Sequence, residues 1–75
     1  MYPLIEPMAS RLENDFKYHS PKPDQIPRYQ KIRDKAKELA IVICENSPAS
    51  REQSVSLTAL DQVVMMANAA IARNE

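Results

Sequence analysis

The sequence predicts an all-α protein: a short N-terminal helix followed by a long antiparallel two-helix hairpin, assembled as a homo-oligomer. Three observations lead there. Glycine is absent, and the six prolines (Pro3, Pro7, Pro21, Pro23, Pro27, Pro48) leave two uninterrupted tracts, Arg28 to Ser47 and Ala49 to Glu75. Each tract is long enough for a helix of many turns. Apolar residues recur in both at spacings of three and four, the period of a helix face. They also outnumber the positions that one hairpin seam can cover.

The chain reads as one helical hairpin domain, with an N-terminal segment and short helix over 1–23, a helix over 24–47 and a second over 48–75. In the first segment the proline-free stretch Met8 to Lys17 allows the short helix.

In the first long tract Tyr29, Ile32, Ala36, Leu39 and Ile43 fall on one stripe. Asp24 is a candidate N-cap, and Pro27 suits the first turn, where a missing N–H costs little. Asn46, Ser47 and Pro48 end the helix. Pro48 then suits the next first turn, with Ser47 as one candidate cap and Ser50 with Gln53 as a capping box. Leu57, Leu60, Val64, Ala67 and Ile71 form the main stripe of the last helix. Val55, Ala59, Val63, Met66 and Ala70 form a second stripe beside it.

So short a connection folds the two helices back on each other. The surplus apolar surface, including Ile41, Val42, Cys44 and the second stripe, is expected to form an interface between copies. Ala67, Ala69, Ala70 and Ala72 permit close helix approach. Of the adjacent pair Met65 and Met66, at least one is expected in the core, because neighbours on a helix do not share a face.

A chain of 75 residues has little core and needs a staple. Cys44 is the only cysteine and His19 the only histidine, which excludes an internal disulfide and an ordinary zinc cluster. Oligomerisation is the staple that remains. Cys44 lies in an apolar run and is expected to be a buried, inert thiol.

Basic and acidic residues balance, which argues against a DNA or RNA binder held by total charge. The distribution is uneven. Between Lys17 and Lys37 seven cations face two acids, a net +5 that the rest of the chain offsets. The longest strongly apolar run, Leu39 to Cys44, is far below the ~20 residues of a bilayer span. Nothing in MYPLIEPMAS resembles a secretory signal. No membrane segment is expected, and the cytosol is the expected compartment.

Catalytic parts are missing: no glycine loop for phosphate and no second histidine to pair with the first. The protein is expected not to be an enzyme and to need no metal or cofactor. The candidate ligand site is Phe16-Lys17-Tyr18-His19 with Arg33 and Lys35. Rings offer a base a stacking surface, and lysine and arginine meet phosphates with charge-assisted hydrogen bonds. Arg73, in the last turn, is placed to satisfy the helix C-terminus or to contact an anion in an oligomer.

The run YHSPKPDQIPRYQKIRDKAKELA, the turn NSPASRE and the ending SVSLTALDQVVMMANAAIARNE resemble the phage cyclic-nucleotide sponges that block CBASS immunity. These are the second class of anti-CBASS proteins, and their helical hairpin also occurs in some anti-Thoeris sponges. The resemblance covers Phe16 to Glu75, most specifically SREQSVSLTALDQ and ANAAIARNE. It implies a compact homohexamer in the host cytoplasm that sequesters cyclic dinucleotides such as 3′,3′-cGAMP between protomers without cleaving them. Some members also hold cyclic trinucleotides near a threefold axis. Carried over by position, the stacking tyrosine is Tyr18 and the phosphate-binding cation Arg33; the polar trinucleotide contacts fall on His19, Lys35 and Arg73. The family's tryptophan beside the ANA run is replaced by Met66.

Two other functions fit the residues without the resemblance. One is a structural or adaptor hairpin whose apolar stripes bind a partner helix. The other is a small nucleic-acid regulator, against which the zero net charge counts.

Overall fold

Three helices and no strands make up the computed structural model, which describes residues 1–75: α1 (Met8–Asp15), α2 (Ile26–Asn46) and α3 (Arg51–Asn74). The all-helical reading and the three-helix order agree with the sequence.

α1 is shorter than the proline-free stretch. Phe16 closes it, its backbone N–H donating to Leu12 O at 3.0 Å. At the other end the Glu6 carboxylate accepts from Ser10 N at 3.0 Å and from the Ser10 hydroxyl, placing an acid where helix N–H groups lack partners.

Asp24 does not cap α2. The N-cap is Gln25, already helical at φ −81° and ψ −32°, with no side-chain cap. Pro27 occupies the first turn and carries no N–H, which removes one donor a cap would satisfy. The Asp24 carboxylate instead meets Arg28 at 3.5 Å.

The far end of α2 is closed by its own polar residues, as the sequence anticipates. Asn46 Nδ2 donates to Val42 O at 2.8 Å and Ser47 Oγ to Ile43 O at 2.6 Å. Ser47 is extended, and α3 starts after Ser50, whose Oγ accepts from Gln53 N at 3.1 Å. Ser50 is therefore the cap and Ser47 is not. The capping box forms only by half, because Gln53 Nε2 reaches past the cap to Ser47 O and Oγ, at 3.0 and 3.1 Å. That bond staples the turn across its width.

The seam of the hairpin consists of Tyr29, Ile32, Ala36, Ala40 and Ile43 on α2 against Leu57, Leu60, Val64, Ala67 and Ile71 on α3, all half-buried. The α3 stripe is the one expected. On α2 the small Ala40 replaces Leu39, which stands 49% exposed, because Ala36 and Ala40 together let the helices approach.

The molecule measures 48 × 39 × 14 Å. A thickness of 14 Å is little more than one helix diameter of about 10–12 Å, so the helices lie in a single layer. Domains normally bury apolar faces between two layers, and this chain supplies one. No apolar side chain is fully buried, and Gln25 alone, at 2% exposure, is inaccessible. Two sequence expectations fail for this reason: Cys44 is exposed rather than buried, and neither Met65 nor Met66 lies in a core.

The accessible surface is 6281 Å². Mass scaling for a folded monomer of this size gives about 4,700 Å². The radius of gyration, 16.7 Å, likewise exceeds the roughly 11 Å of a compact chain this long.

By length and mean hydropathy, 1.4 over its most apolar window, α3 is long and apolar enough to cross a membrane. The sequence reading, which looked for an unbroken apolar run, did not anticipate this. Asp61, Gln62 and Asn68 break up its apolar stretch, and one side of the helix packs along α2.

Candidate functional site

The linker between α1 and α2 carries two of the five predicted ligand residues, Tyr18 and His19, and is anchored at both ends. At its start, His19 Nε2 donates to Asn14 O at 2.8 Å. A carbonyl can only accept, so Nε2 carries the proton. At its end, Lys22 N donates to Gln25 Oε1 and Gln25 N to Lys22 O, both at 3.0 Å.

The same knot fastens α2 to the end of α3. Arg28 meets Glu75 with both prongs of its guanidinium, one at 2.9 Å. The hydrogen bond from Arg28 holds the Glu75 carboxyl below its ordinary range, against a smaller opposing effect of desolvation. Lys22 Nζ also donates to Glu75 O.

A cleft of ≈ 370 Å³ opens where the anchored linker crosses the hairpin. His19 and Pro21 form one wall, Tyr29 and Arg33 another, and Asn68, Ala69 and Ala72 the third. Tyr29 and Arg33 stand one helical turn apart on the same face of α2. Ala69 and Ala72 are short enough to leave depth beneath the linker. Beyond Arg33 an apolar groove of ≈ 420 Å³ continues along the hairpin between Ala36 and Ala40 of α2 and Leu57, Leu60 and Val64 of α3.

Electrostatically, Arg33 is the distinctive member. Arg11, Arg28 and Arg73 each form a salt bridge with a carboxylate. Arg33 forms none. Its one side-chain partner is the neutral Gln30 Oε1 at 3.3 Å, while the Asp34 carboxylate accepts from Gln30 Nε2 at 2.7 Å. The cleft thus combines an uncompensated guanidinium with a phenol ring, an imidazole and an amide. That set suits an anion joined to a flat, hydrogen-bonding group.

The five sequence-predicted ligand residues divide. His19 and Arg33 meet in the cleft. Tyr18 stands 81% exposed and outside it. Lys35 pairs with Glu38 at 3.3 Å on the exposed side of α2. Arg73 lines a second cleft of ≈ 370 Å³ with Asn14, Asp15 and Met66. There its Nη2 donates to Asp15 O at 3.2 Å and its Nη1 lies 3.7 Å from Asp15 Oδ1, while Asn14 Nδ2 donates to Arg73 O at 3.1 Å. Arg73 thus docks α1 onto the end of α3.

Two cleft residues were missed by sequence reasoning. Tyr29 was assigned only to the hairpin seam, although its spacing of four from Arg33 marks a shared face. Asn68 lies in an alanine-rich run with nothing beside it to pair, which is itself a signal.

A single layer of helices with an anion-ready cleft defines a binding module rather than a finished globular domain. The family model for the Acb2/Tad1 hairpin domain matches residues 8–72, and the chain belongs to that family of anti-CBASS and anti-Thoeris sponges. Sponges of this kind bind rather than catalyse. Comparisons with curated proteins and with solved structures gave no match. The match begins at Met8, so α1 belongs to the domain, although the motif resemblance starts only at Phe16.

Proposed function

We propose that this protein is a phage immune-evasion factor that binds cyclic dinucleotides such as 3′,3′-cGAMP and withholds them from CBASS effectors without cleaving them. It acts in the host cytoplasm as a homo-oligomer, a hexamer by analogy with the sponges it resembles. The observation that carries the reading is the unpaired Arg33 guanidinium beside the Tyr29 ring, in a chain of the sponge family.

Assembly is supported by the surface left open. The excess over a compact monomer is roughly 1,600 Å², what a protomer covers in about two standard interfaces of ~800 Å² each. In such an assembly Tyr18, Lys35 and Arg73 of one copy are available to a cleft on another. Cyclic trinucleotides are a second ligand class for Arg73, provided Asp15 yields it.

Calorimetry with purified protein tests the reading. Tyr18→Ala and Arg33→Ala should each weaken 3′,3′-cGAMP while the oligomer persists. A ligand recovered intact after heat denaturation is expected; absence of heat with a panel of cyclic di- and trinucleotides would remove the proposal. The exposed stripe Val55, Val63 and Met66 also favours an adaptor that binds a partner helix. Pull-downs yielding a mixed complex with no nucleotide would favour that reading.

A further inference from the structure

Asn68 is anomalous among the four asparagines of the chain. Asn46 and Asn74 fold their amides back onto the carbonyl four residues earlier, at 2.8 and 2.9 Å, and Asn14 donates to Arg73 O. These are the usual ways an asparagine satisfies itself in or near a helix. In α3 the corresponding carbonyl, Val64 O, is within reach by sequence, yet Asn68 does not use it. Its Oδ1 is the one buried side-chain oxygen or nitrogen without a hydrogen-bond partner.

An unpaired buried acceptor destabilises the fold, and asparagine is a poor helix former besides. Alanine, which surrounds it at Ala67, Ala69 and Ala70, would fit the helix better. Asn68 belongs to a wall of the cleft that also holds Arg33 and Tyr29, with its Oδ1 shielded within that wall. An amide that is costly to the fold and sits in a cleft wall is explained when its side chain turns to a ligand in the cleft that completes its bonding.

We infer that Asn68 is the base-reading residue of the cleft, its amide closing a two-bond contact with the edge of a nucleobase whose phosphate lies on Arg33. The inference rests on the cyclic-nucleotide reading above and deepens it. An amide presents one acceptor and one donor side by side. Adenine offers the complement, the N6 amino donor next to a ring-nitrogen acceptor. Guanine also offers one, O6 next to the N1 hydrogen. Rotating the amide exchanges the order of donor and acceptor, so Asn68 accepts either purine while requiring an edge that can hydrogen-bond. Breadth across bases follows from this residue, and strength from the phosphate contact.

The two purines separate when the amide becomes a carboxylate. Asn68→Asp keeps the shape but presents acceptors only. Guanine still matches it through N1–H and N2–H, whereas adenine sets a lone pair against a lone pair.

The test is calorimetry of the full-length oligomer with cyclic di-AMP and cyclic di-GMP, using wild type, Asn68→Ala and Asn68→Asp, with assembly followed by sedimentation. Asn68→Ala should weaken both ligands by about tenfold, the worth of a good two-bond base contact. Asn68→Asp should weaken cyclic di-AMP at least about tenfold more than cyclic di-GMP. A merely structural asparagine would move both ligands together, so an unchanged ratio in Asn68→Asp overturns the inference. So does an altered assembly with unaltered affinity, which would make another copy the partner of the amide. Wild-type protein that binds neither ligand nor 3′,3′-cGAMP removes the sponge reading itself, a different result from a wild type that binds and variants that do not discriminate.

Discussion

Arg28, in the first turn of α2, grips the carboxylate of Glu75, just beyond the end of α3, with both arms of its guanidinium. Together with the turn at Ser47 to Ser50, this pair closes the hairpin at its open end. The charge that does so titrates. Because the folded protein holds Glu75 below its ordinary value of 4.5, the contact contributes fully above that pH and is lost as pH falls through the depressed value.

Amide exchange will show this as a local effect. Protection factors at Ala72 to Glu75 should fall on acidification below pH 4.5, while those at Leu57 to Val64 hold. Glu75→Gln should show the weaker protection at neutral pH and no further change in that window. Equal loss along all of α3 would mean that the pair does not govern the end of the hairpin.

At the other end, Ser50→Ala removes the side-chain acceptor for Gln53 N and should cost about 1 kcal/mol, within the usual range for an N-cap. Ser47→Ala should cost stability through a different bond, the one from Gln53 Nε2. Thermal or urea unfolding of the two single variants and the double variant measures this. Strict additivity would show that the two serines do not share Gln53.

Arg33→Lys separates charge from geometry in the cleft. Lysine keeps the positive charge and loses the planar fork that matches phosphate oxygens. Its loss of affinity for 3′,3′-cGAMP should fall between wild type and Arg33→Ala, which should lose roughly tenfold or more, the worth of a charge-assisted hydrogen bond. Equal affinities for Arg33→Lys and Arg33→Ala would make the fork the whole of the contact.

The open apolar stripe predicts its own variant. Val63 is 60% exposed on α3, so Val63→Glu leaves the helix and the hairpin seam untouched. It should convert the proposed homo-oligomer to protomers in sedimentation, with helical circular dichroism preserved when corrected for concentration. An unaltered assembly would place the interface on another face, with Ile41 and Val42 of α2 the next to test.

Much of the fold was legible because helix punctuation is local. Pro48 and the serines around it act on residues within one turn, so the hairpin and its α3 stripe could be read directly. The misses are equally instructive. Leu39 and Ala40 differ by one step of the helix, and only the closeness of α3 chooses the smaller. Asp24 was displaced as a cap by a glutamine whose partners, Lys22 and Glu75, include one from the far end of the chain.

The candidate site was less legible. His19 and Arg33 were found because imidazole and guanidinium advertise their chemistry. Arg73 was named without its partner Asp15, 58 residues away. Tyr29 and Asn68 were passed over, since a tyrosine on an apolar stripe and an asparagine among alanines each have an ordinary structural explanation.

The amino-acid order by itself determined three helices, the sharp reversal at Pro48, and a surplus of apolar surface, because these follow from backbone restrictions and periodicity within a few residues. The tertiary structure alone decided which cations remain free. An arginine is available to a ligand only if no carboxylate reaches it, and whether one does depends on where distant segments come to rest: Glu75 on Arg28, Asp15 on Arg73, and no acid on Arg33.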